Sequence, residues 1–182
     1  MARKDQQRTD VGLRLKEHLL NTGLSRASLR QLATAAGVSD RMLLYYFDDK
    51  ADALNTAFGL IAADLTLALD MAVPEGTTLS MTDLIRTVTD LTLAPDTKPY
   101  FRLWTEAIAG VLREPEQFEQ IVKLIASGFL TWIEARLEGG TPESRQADAA
   151  MILAMIDGLA LLEICTDEAT ARLAAERMKQ GV

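Results

Sequence analysis

Between Ser28 and Phe47 a single glycine separates two short segments, each with apolar residues spaced for one helical face. Ser28 stands three residues before Gln31, the spacing of a capping box, and so starts a helix at about 28. Leu32 and Ala36 share one side of that helix, with the small Ala33 beside them. Gly37 accepts a left-handed backbone at little cost, so the helix can end there and the chain can turn sharply. Val38 plugs the turn, and Ser39 caps a second helix whose Leu43 and Phe47, four apart, return to the same core. Asp40, Arg41, Leu44 and Tyr45 are left on the outside. In a helix-turn-helix that outer face enters the major groove of DNA, whereas in an ordinary pair of antiparallel helices it is plain surface. The motif taken alone leaves both open.

The rest of the chain reads as helix. No β-branched run alternates with period two, and no Asn-Gly or Asp-Gly hairpin signal occurs. Pro74, Pro95, Pro99, Pro115 and Pro142 fall between the periodic segments, in loops or first helical turns. The expected helices cover about 9–22, 28–36, 39–47, 50–72, 80–94, 98–113, 116–138, 142–165 and 167–179. Leu54, Phe58, Ile61, Leu65 and Leu69 mark one buried face of the fourth. Gly139-Gly140 ends one helix, and Thr141-Pro142-Glu143 caps the next.

Charge is uneven along the chain. The net charge is −7, yet residues 1–50 hold nine Lys/Arg against six Asp/Glu, for +3, and the other 132 residues carry −10. A basic end can approach phosphates while an acidic body stays in solvent. The single Cys165 excludes an intramolecular disulfide framework, and with only His18 beside it a Cys/His zinc cluster is implausible. Neither a signal peptide nor a bilayer span is expected. Residues 1–10 are polar, and the most apolar stretch, 149–162, falls short of the roughly 20 residues a span requires. The chain is expected to be cytoplasmic. Without a glycine-rich phosphate loop, nucleophile elbow or paired-carboxylate motif, no enzyme is expected and no cofactor is implied.

Residues 10–54 closely resemble the DNA-binding domain of the TetR family of transcriptional regulators. The resemblance rests on Leu32-Ala33, Ala36-Gly37-Val38-Ser39, Leu43, Tyr46-Phe47, Lys50 and Leu54. It implies an all-α protein of about nine helices. A three-helix DNA-binding domain would occupy residues 1–54, with its helix-turn-helix at 28–47, and a larger helical ligand-binding and dimerisation domain would occupy 55–182. It further implies a homodimer on an inverted-repeat operator, most often a repressor released by a small molecule. An architectural DNA-binding protein without effector control and an adaptor that has lost DNA binding are the alternatives.

Carried over by position, Ser28 matches a helix-capping position that often contacts phosphate, and Ser39, the cap of the recognition helix, is counted with the DNA-binding residues. Arg41, Met42 and Tyr45 lie on the recognition helix, Tyr46 near the DNA backbone, and Lys50 at a phosphate contact. Three positions depart from the pattern. Leu44 stands where a phosphate-binding tyrosine is usual, Asp40 replaces a frequent lysine, and Arg41 replaces a small residue, which points to an unusual operator or modest affinity. Arg3, Lys4 and Arg8 could form a flexible arm toward DNA, and Arg26 and Arg30 could touch phosphate.

Residues 147–165 are apolar on nearly every side, as expected of a helix covered by its own chain or by a partner. By resemblance the last two long helices pair across a two-fold axis, where Gly158 allows close approach. Phe101, Trp104, Phe129, Trp132, Met71, Met151 and Met155 cluster in the middle helices, and Glu106 and Asp157 sit in apolar contexts. Plain core and adaptable ligand pocket are both open for them. The pocket candidates are Phe101, Trp104, Glu106, Phe129, Trp132 and Met155.

Overall fold

The computed structural model describes residues 2–180, with side chains from Lys4 onward. Among these residues are nine α-helices: α1 (Ala2–Thr22), α2 (Leu29–Ala36), α3 (Asp40–Tyr46), α4 (Lys50–Ala72), α5 (Met81–Thr92), α6 (Lys98–Arg113), α7 (Pro115–Glu134), α8 (Pro142–Cys165) and α9 (Glu168–Lys179). Short 3-10 turns occupy Leu24–Arg26 and Pro95–Thr97. Extended pairing among the described residues is a lone parallel bridge between Leu79 and Leu137.

By packing, the chain divides into two compact units: residues 1–64 with 103–123, and 65–102 with 124–182. In the first, α1 packs on α2 and α3. Leu15 and Leu19 of α1, Leu32 and Ala36 of α2, Leu43 of α3 and Ala53 and Ala57 of α4 are fully buried. The face expected on α4 is the buried one, with Leu54, Phe58, Ile61 and Leu69 inside and Leu65 half-buried. By length and composition alone α4 is also long and apolar enough to cross a bilayer, although residues 149–162 are the more continuously apolar stretch. Later in this unit α6 meets α7 at Gly110, where a Cβ would lie 2.7 Å from the Phe118 ring. Only glycine fits there.

In the second unit Leu84, Ile152, Val73, Trp132 and Ile133 form a core onto which Phe101, Phe129, Leu153 and Met155 pack. α9 closes against α5 and α8. Its Ala171 and Ala175 bury beside Leu159. Each of α5, α8 and α9 begins on a side-chain cap, from Ser80, Thr141 and Asp167 respectively.

Two helix ends differ from expectation. α1 starts at Ala2, not near residue 9, because the polar opening is held in register by Gln6–Asp10 and by Thr9 bonding the Asp5 carbonyl. α7 stops at Glu134 instead of running to 138. There the Arg136 guanidinium turns onto the Val73 carbonyl at 2.9 Å, and Leu79 exchanges backbone bonds with Arg136 and Glu138.

Candidate nucleic-acid interface

The local chemistry between Ser28 and Phe47 forms as its sequence dictates. Ser28 Oγ accepts the Gln31 amide, and Gln31 Oε1 accepts the Ser28 amide at 3.2 Å, completing the capping box. Gly37 adopts φ 69°, ψ 29°, and the Val38 amide reaches back to the Ala33 carbonyl at 3.0 Å. The other end of the bend is held from a distance. Arg14 of α1 donates to the Ala36 carbonyl at 2.8 Å, placing a cation on the negative end of α2. Ser39 Oγ accepts the Met42 amide at 3.2 Å and starts α3.

α3 therefore has a fixed inside and outside. Leu43, Tyr46 and Phe47 are buried, whereas Asp40, Arg41, Met42, Leu44 and Tyr45 are exposed and together line an open depression. With 100° per residue, Arg41 and Tyr45 stand at the centre of the outward face, Asp40 and Leu44 on one flank, Met42 on the other. Tyr46, expected near the DNA backbone, instead turns inward at 8% exposure and meets Tyr45 edge-on at 5.4 Å between centroids. Its position on α3 shares the side of Leu43, so the core claims the ring.

The cations expected at DNA fall into two groups. Arg26, Arg30 and Arg41 are exposed, Lys50 is half-exposed at the start of α4, and none of the four is in an ion pair among the described residues. Lys4 and Arg8 are not on a flexible arm. Both lie within α1, Lys4 with Nζ 4.5 Å over the Tyr45 ring and Arg8 with its guanidinium 4.9 Å over Phe47. Arg8 also pairs with Asp52 at 2.7 Å, which holds α1 to α4 and uses up its charge. The side chain of Arg3 lies outside the described residues. Ser28 and Ser39 spend their hydroxyls on caps at exposed positions.

The candidate ligand-contacting residues are divided between the two units. Phe101, Phe129, Trp132 and Met155 belong to the core of the second unit. Trp104 and Glu106 belong to the first, where Glu106 accepts the Leu24 amide at 2.5 Å. Trp132 is already engaged: its indole N–H donates to Asp70 at 2.8 Å and its ring lies 4.1 Å from the Arg136 guanidinium. Met71 and Met151, read as part of the same cluster, are exposed by 78% and 43%. The Arg14 cap and the Arg8–Asp52 pair escaped sequence reading, since no local pattern links residues 22 and 44 positions apart.

No protein-family model matches the sequence, and no curated protein matches it either. Solved structures do match, over nearly the whole length. A TetR-family transcriptional regulator from Cytophaga hutchinsonii superposes with a TM-score of 0.79 at 12% identity, covering 99% of this chain and 94% of that one. A transcriptional regulator from Rhodococcus sp. Rha1 gives 0.74 at 23% identity, covering 95% and 94%. The multidrug binding protein EbrR, solved with proflavin, gives 0.64 at 20% identity, covering 94% and 99%. The fold is that of TetR-family transcriptional regulators, a helix-turn-helix head followed by a helical body. At these identities the likeness is one of fold.

Proposed function

We propose that the chain is a DNA-binding transcriptional regulator, acting as a homodimeric repressor that reads an inverted-repeat operator through α3 and is released by a small molecule. One observation carries the reading: α3 turns Arg41 and Tyr45 outward on an apolar anchor, while Arg26, Arg30 and Lys50, in no ion pair among the described residues, are available for phosphate. Residues 1–54 form the reading head, in which Ser28, Ser39, Arg41, Met42, Tyr45 and Lys50 face DNA, and residues 55–182 serve ligand binding and dimerisation.

The dimer is supported by α8. Met151, Ala154, Gly158, Leu161 and Cys165 are all exposed and recur at alternating steps of three and four, an apolar seam on the side opposite Ile152, Ile156 and Leu159. A Cβ on Gly158 would meet nothing within 4 Å, so the seam has room for a second helix. An inverted-repeat operator asks of such a dimer two α3 helices about 34–36 Å apart, one turn of the duplex. Release by an effector draws its support from the aromatic and methionine core of the second unit, with Phe101, Phe129 and Met155 as the adaptable wall.

Footprinting on the region upstream of the chain's own coding sequence tests the reading. A discrete palindromic footprint is expected. Dispersed protection would make the protein architectural, and no protection at all would leave an adaptor.

A further inference from the structure

The outward face of α3 is chemically unlike a phosphate-gripping surface. It carries one cation, Arg41, one anion, Asp40, one phenol, Tyr45, and two apolar side chains, Met42 and Leu44, exposed by 38% and 47%. Leu44 and Met42 stand on opposite flanks of the Arg41–Tyr45 ridge. Asp40 at the helix start repels phosphate and accepts hydrogen bonds only from base amino groups. Neither flank can grip the sugar-phosphate backbone, so what Met42 and Leu44 recognise must be apolar.

In the major groove, the apolar group that base edges offer is the C5-methyl of thymine, and the bidentate partner of an arginine is guanine through O6 and N7. We infer that α3 reads a half-site in which a G·C pair lies among thymines, Arg41 taking the guanine and Leu44 and Met42 each covering a thymine methyl. This rests on the DNA-binding reading above and goes beyond it by naming the bases. Phosphate contacts then fall to residues off α3, with Lys50, Arg26 and Arg30 the nearest cations in sequence that are in no ion pair among the described residues. Base preference and salt dependence would therefore reside in different side chains.

The test uses the full-length protein and a random-sequence duplex library. The enriched consensus is resynthesised with deoxyuridine at each half-site thymine, which removes the methyl and leaves every hydrogen-bonding group in place. Burying one methyl predicts about fourfold weaker binding for each contacted thymine replaced. In Leu44→Ala that penalty should vanish at one position, and in Met42→Ala at another. Arg41→Ala should relax the preference for guanine at one position by about tenfold or more. All three side chains are exposed, so the variants should fold, which circular dichroism checks. If the library yields no enriched sequence, the operator-reading proposal itself falls. If a consensus emerges but deoxyuridine binds as well as thymine, or guanine preference survives in Arg41→Ala, this base assignment alone is overturned.

Discussion

The Leu24 amide donates to Oε2 of Glu106 at 2.5 Å, tying the turn before α2 to a carboxylate on α6 across 82 positions of sequence. Gly23, immediately before, makes this possible. Its φ is 70°, and a Cβ there would lie 2.5 Å from Glu106 Oε1. Gly37 has the same φ region but open surroundings, with its nearest neighbour, Arg14 Nη1, at 3.6 Å from a built Cβ. The two glycines should therefore respond differently to alanine. Gly37→Ala is expected to cost the backbone term alone, about 1–2 kcal/mol. Gly23→Ala should cost more, because ψ −172° at φ 70° is a conformation essentially confined to glycine, and the Cβ adds a clash that displaces the carboxylate. Glu106→Ala should lose about 1–3 kcal/mol through the stranded amide. Urea denaturation of the three variants measures the order, and equal losses at Gly23 and Gly37 would contradict the close approach.

Lys50 begins α4 with no ion pair among the described residues, so on the proposed reading it would contribute to DNA binding through its charge. Lys50→Ala should weaken binding to all sequences and flatten the plot of log K against log salt by about 0.9. Titrations at four or five salt concentrations read this directly. An altered base preference with an unchanged slope would show that Lys50 reads bases instead.

Arg136 is buried at 6% exposure, where its guanidinium donates to the Val73 carbonyl, the Trp132 carbonyl and Asp70 at 2.9, 3.3 and 2.6 Å. Three acceptors on two sides call for a planar fork. Arg136→Lys should therefore recover little of the stability lost in Arg136→Met, which is expected at about 3 kcal/mol. Trp132→Phe gives up the bond to Asp70 and should cost about 1.5–3 kcal/mol. Full rescue by lysine, seen in thermal unfolding, would mean that charge alone matters.

Asp167 caps α9 by accepting the Thr170 amide at 2.8 Å, and that backbone bond holds its carboxyl below the usual 3.8. A depressed acid stabilises the fold above its usual value, and that stabilisation is lost as pH falls through the lowered one. Asp167→Asn keeps a cap without a titrating charge. The gap in Tm between the wild type and Asp167→Asn should be positive at pH 7 and close as pH falls below 3.8. A gap independent of pH would remove the charge from the cap.

If the α8 seam joins two copies as proposed, it should be intolerant of charge only in the dimer. Leu161 is 48% exposed in the single chain, so Leu161→Arg is expected to leave helix content unchanged and to yield monomers. Sedimentation at micromolar concentration distinguishes the two states. Dimers that persist would move the interface elsewhere.

The helix-turn-helix was legible because its signals are local. Ser28 reaches Gln31 three residues on, Gly37 lets α2 end, and Ser39 reaches Met42, each within a span that sequence alone brings together. The same locality made the buried face of α4 readable from Leu54, Phe58, Ile61 and Leu69. Tyr45 and Tyr46 show where this stops. Both are aromatic neighbours at the end of α3, yet Tyr46 shares the side of Leu43 and is buried, while Tyr45 is more than half exposed beneath Lys4.

Sequence by itself determined the helices, the bend at Gly37 and the two sides of α3, because capping bonds and helical periodicity act over at most a few residues. Tertiary structure decided which charges are spent and which are left available. Arg8 is neutralised by Asp52, and Arg136 is drawn inside by Asp70 and Val73, through contacts between residues 44 to 66 positions apart. Such pairings exist only once separate helices have packed, since nothing along the chain sets the distance between their side chains.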